Sequence, residues 1–453
     1  MQRPPLCFQY FSRLPFSASK VFQWHLQPGA LERMIPPWMN IRILEQGSPR
    51  QVGSLTVLEL RVLWMRMLWY ARHSSFTAGI EFMDKQERGP FCSFQHIHRV
   101  TSVDSFCILS DIIEYRAPFF LQESYVQKQL ERQFAFRHRR ILSDLSVLQK
   151  YGRAPQRILV SGASGMVGQS LCAFLAVSGH EVFRLKRQAS HLAAHIIGWD
   201  PLQKRSYTTE DFEGFDAVIH LAGENIGAKK WSKKQREILV RSRCDDTRLL
   251  SQILSNLVRP PKVFISASAV GIYGDRQEEY LTEDSTIASD FLGKLCAEWE
   301  EASSLLTNRG VRRVQARFGY ILDPQGGMLK QMLPVFRMGL GGKIGSGKQI
   351  MPWVALDDVV YGLYHCLMES SLSGPINMVA PKPIEQKEFA RILAKAVHRS
   401  YFFSVPALLL KILLPQRAEA LLLRSAHVLP KKLQDSGYEF IYRDLREYFS
   451  LNL

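Results

Sequence analysis

Residues 157–168 read RILVSGASGMVG, a short apolar run followed by three glycines, Gly162, Gly165 and Gly168, each separated from the next by two residues. Behind them MVGQSLCAFLAVSG (166–179) carries helical spacing, so the stretch reads strand, glycine loop, helix. In that context each glycine has a separate task. Gly162 makes a tight turn, Gly165 lets a diphosphate come close to the main chain, and Gly168 lets the helix pack closely on the strand. The first N–H groups of a helix have no partner within it and carry partial positive charge, which suits an anion. Candidate dinucleotide contacts are therefore Gly162, Ser164, Gly165, Met166, Val167 and Gly168.

The next strand sharpens the expectation. About 20 residues past the glycines, a chain that binds NAD places an acidic residue on the ribose hydroxyl. Here GHEVFRLKRQ (179–188) puts Lys186 there, with Arg187 beside it. A basic pair complements a 2′-phosphate, so NADP is expected over NAD; the alternative is a solvated strand end. DAVIHLAGENI (216–226) ends a strand in Leu221, Ala222 and Gly223, where the nicotinamide-side ribose would lie. KVFISASAVGIYG (262–274) brings Ser266, Ser268 and Tyr273 to the carboxyl end of another strand, where ligands bind in open parallel sheets. ARFGYIL (316–322) sets Arg317 at a strand end, in reach of substrate or phosphate.

Composition bounds the rest. A chain of 453 residues exceeds a single core and implies two or three domains. Its 46% hydrophobic and 22% charged residues are ordinary for globular protein. Seven cysteines stand singly, which argues against a disulfide framework and for a reducing, cytoplasmic setting. The N-terminus lacks the apolar core of a signal peptide. The most apolar stretch, VPALLLKILLP (405–415), holds Lys411 and falls short of the roughly 20 residues a bilayer span needs, so it is expected as a buried helix. The net charge of +16 is spread along the chain, so no nucleic-acid partner is expected.

Before residue 150 the texture is that of one α+β domain. Residues 17–38 have helical spacing broken by Pro28 and Pro36–Pro37. GSLTVLELRVLW, WMRMLWYARH, CSFQHIHRV and SFCILSDIIEY read as strands, with DKQERGPF (84–91) as a turn, and a long amphipathic helix follows from Leu121 to Leu148. His96 and His98 share one strand face, and His73 is a third imidazole. Without a further His/Cys cluster these read as polar residues lining a cavity or a sheet face, and no metal is expected. QKYGRAPQ (149–156) is the linker. Beyond it short apolar runs alternate with helices, the pattern of a parallel sheet.

With these motifs in view, residues 157–453 resemble an atypical, epimerase-family subgroup of the extended short-chain dehydrogenases/reductases: SGASGMVG, WDP, DAVIHLAGENI, SASAVGIYG, GSGKQIMPWVALDDVV, GPINMVAP and VLPKKLQDSGYEFIYRDLREYF all match its pattern. Residues 1–150 resemble the helix-grip, START/polyketide-cyclase-like fold in PGALERMIPPW, GPFCSFQHIHRV and EYRAPF. The resemblance implies a helix-grip domain (1–150), a linker (151–156), an NADP-binding Rossmann domain (157–400) and a C-terminal helical extension (401–453). It implies an oxidoreductase or epimerase-like enzyme acting on a small molecule, with the first domain binding an apolar ligand.

One departure stands out. Active members of the superfamily use Tyr-x-x-x-Lys, the lysine lowering the tyrosine pKa. DFLGKLCAEWE (290–300) offers Phe291 and Leu295 instead, with Lys294 turned about 100° away on a helix. Ser268 matches the superfamily serine. Three alternatives stand: Tyr273 or Glu224 replaces the tyrosine, the chemistry runs without that relay, or the domain is a non-catalytic NADP-binding regulator or scaffold. Tyr273 is equally read as a packed aromatic and Glu224 as a helix-entry carboxylate. Asp357 and Asp358 are expected to cap the helix after the substrate-cleft stretch.

Overall fold

The computed structural model describes residues 4–62, 65–119, 121–152, 154–187, 195–201, 207–227, 229–408, 412 and 418–453. The chain falls into two compact units, residues 1–153 with 173–179 and residues 154–172 with 180–453.

In the first unit, strand β1 (Leu6–Leu14) is followed by helices α1 (Ala18–His25) and α2 (Ala30–Met34), then β2 (Ile41–Glu45), β3 (Leu55–Val62), β4 (Met65–Thr77), β5 (Glu81–Arg88), β6 (Ser93–Val103), β7 (Phe106–Arg116) and the long helix α3 (Glu123–Tyr151). The strands form one antiparallel sheet in the order β1-β7-β6-β5-β4-β3-β2. Period-two alternation drives its inner face inward: Phe94, His96, His98 and Val100 are buried on β6, and Cys107, Leu109, Asp111, Ile113 and Tyr115 on β7. Helix α3 covers that face, and Val126, Leu130 and Phe134 join Phe8, Phe94, Ile113 and Tyr115 in one apolar cluster. The breaks at Pro28 and at Pro36–Pro37 separate α1, α2 and β2, as proline's missing donor requires. Asp144 on α3 holds Arg33 of α2 through two hydrogen bonds of 2.5 and 3.0 Å.

One expectation fails here. DKQER is no turn: it is the second half of β5, and only the residues after Arg88 turn the chain. Its charges mimic a loop, yet alternation sends Asp84 inward and Lys85 outward.

In the second unit β8 (Arg157–Ser161), helix α4 (Met166–Val177), β9 (Glu181–Lys186), β10 (Ile196–Gly198), β11 (Ala217–His220), α5 (Lys233–Val240), α6 (Asp246–Ser255), β12 (Val263–Ala269) and α7 (Phe291–Glu301) lead to two further strands, Arg312–Phe318 and Gly374–Met378. The order is β10-β9-β8-β11-β12 followed by those two strands, every pairing parallel. Both faces are covered, so the strands are continuous apolar runs: Ile158, Leu159 and Val160 on β8 and Val218 and Ile219 on β11 are wholly buried. This is a Rossmann-like sheet. The chain runs outward from β8 in one direction and resumes at β11 on the other side, which opens a crevice at the carboxyl ends of those strands.

The expected buried helix at 405–415 lies for the most part outside the described residues. Val405 itself ends a strand, Phe403–Val405, paired with Gly342–Ile344, and Leu408 and Ile412 are exposed. Among the described residues no helix is long and apolar enough to cross a membrane.

Candidate functional site

The glycine loop has the geometry its spacing predicts. Gly162 sits at φ +68°, and a Cβ there would stand 2.6 Å from the Leu221 carbonyl carbon. A Cβ on Gly168 would lie 2.2 Å from the Gly162 oxygen, so the helix meets the loop only without a side chain. Gly165 differs: its Cβ would meet nothing nearer than 3.3 Å, and with Ser164 it is exposed. The loop closes through Gly165 N–H donating to the Gly162 carbonyl at 2.9 Å, and α4 begins at Met166. A cradle thus faces out at a helix N-terminus, shaped for a diphosphate.

Beyond it lies a cavity of about 360 Å³ lined by Val167, Leu221 to Gly223, Ala267 to Ala269, Phe318 and Tyr320, which stand at the carboxyl ends of the parallel strands or just past them. Helix α7 forms another wall. Its N-cap Asp290 accepts from Gly293 N–H at 2.9 Å, and the face at spacing three and four, Leu292, Leu295, Cys296 and Trp299, turns to the cavity. Leu295 is on the cavity, Phe291 packs on Trp231 outside it, and Lys294 is exposed. Arg243 reaches the wall from a π-helical turn, Arg241–Asp245, with Nη2 donating to the Glu224 carbonyl at 2.8 Å.

Few lining groups exchange protons near neutrality. Burial pushes the Cys296 thiol and the Tyr320 phenol each up to about 12. Tyr320 donates to the Leu421 carbonyl at 2.9 Å. Ser268 lines the cavity, but its hydroxyl donates to Glu300 Oε1 at 2.6 Å.

The remaining sequence candidates divide sharply. Lys186 ends β9 with Arg187 next to it, both exposed, and the Arg187 charge acts on Glu224 and Asp246. Tyr273 is wholly buried, its hydroxyl donates to Asn377 Oδ1 at 2.7 Å and accepts from Arg317 Nη1 at 2.8 Å, and burial lifts it to about 12. Arg317 does not reach outward to phosphate. Glu300 holds it with two bonds of 2.8 Å, and it is buried. Ser266 is fully buried and lies away from the cavity lining. Glu224 also lies outside that lining, paired with Lys229 at 3.1 Å, which holds its carboxyl below the usual range. Asp358 does not cap its own helix, Leu356–Met368; its carboxylate accepts from Ile441 N–H at 2.7 Å and Tyr442 N–H at 3.0 Å, tying down the C-terminal segment. Bonds to these two backbone amides take the carboxylate away from the helix's own first turn.

A second constellation sits in the first unit. The register brings His73 opposite Asp84, Asp84 opposite His96, and His98 opposite Asp111. Asp111 Oδ1 lies 2.7 Å from His96 Nε2 and 2.8 Å from His98 Nδ1, and its Oδ2 lies 2.6 Å from His138 Nε2 on α3. Burial alone would lower His98, but Asp111 and Asp84 outweigh it and raise it to about 9. Burial and the His98 charge lower His96 to about 4. Asp84, His96 and His98 each offer a ligand atom, all within 4.8 Å of one another. They line a cavity of about 160 Å³ with Phe82, Phe94, Trp69, Met34 and Arg137. Sequence reasoning found the histidines and missed both aspartates and His138. The available signal was alternation through DKQER and SDIIE, which places Asp84 and Asp111 on the inward parity. Arg243 had no such signal, because a π turn breaks helical phase.

Family models match the second unit, and a solved structure aligns along nearly the whole chain. A family model described as the NAD dependent epimerase/dehydratase family matches residues 158–378, and one described as a domain of unknown function, DUF1731, matches 405–450. An epimerase family protein of Mycobacterium bovis is 32% identical over 290 residues, covering 64% of this chain and 95% of that protein. The human epimerase family protein SDR39U1 is 32% identical over 292 residues, covering 64% and 97%. Among solved structures, a nucleoside-diphosphate sugar epimerase from Corynebacterium glutamicum aligns over 99% of this chain and 90% of its own at 29% identity and TM-score 0.83. Human SDR39U1, isoform 2, solved with NADPH, aligns over 65% of this chain and 98% of its own at 31% identity and TM-score 0.61.

Proposed function

The chain belongs to the epimerase family, and from that premise we propose that its second unit binds NADP(H) at the ends of β8, β11 and β12 and works as an oxidoreductase or epimerase-like enzyme on a small substrate with an apolar face. The observation that carries this reading is the glycine loop: a Cβ is forbidden at Gly162 and Gly168 by packing, while the main chain at Gly165 stays open. The main chain from Gly162 through Ser164, Gly165, Met166 and Val167 to Gly168 would hold the diphosphate, with Leu221 to Gly223 beside the nicotinamide ribose. Lys186 and Arg187, exposed at the end of β9, would take the 2′-phosphate, and the human relative solved with NADPH supports that choice.

When bound, the nicotinamide supplies hydride exchange. The chain's own part is to exclude water with Leu292, Leu295 and Trp299, and to present Ser268 as the one sequence-predicted hydroxyl on the cavity wall. A second reading, a non-catalytic NADP-binding regulator, is favoured by the same helix face, since α7 offers apolar side chains where the superfamily has its proton relay. For the first unit, the antiparallel sheet with its covering α3 and its cavity supports a helix-grip, START-like domain that holds an apolar ligand. The free thiols of all seven cysteines fit a reducing, cytoplasmic setting.

Calorimetry with NADPH and NADH tests the cofactor. Lys186→Asp with Arg187→Asn should weaken NADPH by about 100-fold, two lost charge-assisted contacts, and NADH little; equal loss for both overturns the 2′-phosphate assignment. No affinity for either nucleotide sinks the whole reading. NADPH oxidation across apolar carbonyl compounds and sugar nucleotides separates the two functions: turnover supports the enzyme, and tight binding without turnover supports the regulator.

A further inference from the structure

The buried His/Asp constellation of the first unit serves no step at the nucleotide cleft. We propose that Asp84, His96 and His98 bind one divalent transition-metal ion of the zinc class, with a coordination position open to the neighbouring cavity.

The sheet register builds the site. Asp84 and His96 are cross-strand partners on β5 and β6, and His98 is two residues further along β6, so all three stand on one face within 4.8 Å of each other. His98 Nε2 and Asp84 Oδ2 are 3.6 Å apart, too long for a hydrogen bond and close to the separation of two ligands on a tetrahedral zinc, about 3.3 Å from bonds of about 2.0 Å. A histidine that ligates through one ring nitrogen ordinarily gives the other to a carboxylate, which orients the ring and raises its basicity. Asp111 occupies that place for His96 by a hydrogen bond, lies in charge contact with His98 Nδ1 at 2.8 Å, and gives its second oxygen to His138. His73 Nδ1 lies 2.6 Å from Asp84 Oδ1, a charge contact beside the ligating carboxylate.

The donor set names the ion class. Two imidazoles and one carboxylate suit zinc, cobalt or ferrous iron rather than calcium or magnesium, which prefer all-oxygen shells. Three protein ligands leave one position for water or a ligand atom. Charge favours a cation too: Asp84 and Asp111 bring two negative charges against the one positive charge of Arg137. The apolar cavity wall, Phe82, Phe94, Trp69 and Met34, with Arg137 at its side, suits an apolar molecule bearing a carbonyl or carboxylate that completes the metal's shell.

The full-length protein, stripped with chelator and titrated with Co²⁺, should bind one equivalent per chain and show d–d absorption without a thiolate charge-transfer band. Asp84→Asn and His98→Gln should each lower affinity more than about 100-fold, and the supporting change Asp111→Asn by about 10 to 100-fold. Zinc should raise the melting temperature of the stripped wild-type protein, a readout that needs no variant to fold. The proposal is overturned if the wild-type chain binds no stoichiometric Co²⁺, if thiolate bands accompany the binding, or if Asp84→Asn and His98→Gln both bind as the wild type does. NADPH affinity is independent of these outcomes, so failure here leaves the reading of the second unit intact.

Discussion

The two cavities described above, one in each unit, spend their polar groups in opposite ways. In the second unit the fingerprint of the family surrounds a space whose walls are Leu292, Leu295, Trp299 and Phe318, while nearby polar side chains are committed to each other: Glu300 to Arg317 and Ser268, and Tyr273 to Arg317 and Asn377. In the first unit no nucleotide fingerprint exists, yet His73, Asp84, His96 and His98 face the void directly. The family motif thus lies at one cavity and the buried titratable cluster at the other. In this chain the two places differ.

The strongest way to break the comparison is at the cradle. Gly168→Val sets a branched side chain where even a Cβ would stand 2.2 Å from the Gly162 oxygen, so nucleotide binding should fall beyond detection by calorimetry, and urea unfolding should show a loss above about 4 kcal/mol. Full NADPH affinity in that variant would show that the loop does not grip the diphosphate.

Next in size is the ion pair. Arg317→Met leaves Glu300 without its buried partner and should cost about 3–5 kcal/mol by urea unfolding, while Arg317→Met with Glu300→Leu recovers part of the loss. The folded fraction should keep its NADPH affinity. Normal stability with lost affinity would place Arg317 at the cofactor instead and erase the contrast.

Asp358→Asn disturbs the clamp on the C-terminal segment and should cost about 1–3 kcal/mol, one buried acceptor lost. It also carries a pH signature. Burial raises the Asp358 carboxyl to about 7, so the folded state keeps a proton that the unfolded chain has given up near pH 4. Its contribution to stability is complete below about pH 4 and declines as pH rises toward 7, and the asparagine variant should lack that decline in melting temperatures taken from pH 4 to 8.

The smallest effect belongs to Glu224→Gln. An exposed pair with Lys229 is worth at most about 1 kcal/mol, and neither turnover nor NADPH binding should change more than about twofold. A large loss of turnover would restore Glu224 as an acid/base group.

Much of the second unit was readable residue by residue. RILV and DAVIH announce buried parallel strands because both of their faces are covered, and the glycine spacing announces its own turn. The first unit was readable in its strands and long helix but not at β5, where charge density in DKQER outweighed alternation and hid Asp84. Likewise Tyr273 and Arg317 lie at the strand ends where ligands bind, so position alone favoured chemistry. Their commitment to Asn377 and Glu300 could not be read from spacing, since those partners stand 104 and 17 residues away.

By itself the chain's order of residues determined the glycine loop, the parallel sheet behind it and the basic pair at the end of β9, because steric limits on main-chain dihedrals and the periodicity of burial act over a few consecutive residues. The tertiary structure alone decided which polar groups pair inside and which face a cavity. That outcome turns on strand register and helix placement: a shift of one residue between β5 and β6 would move Asp84 away from His96, and only the packing of the whole sheet against α3 sets that register.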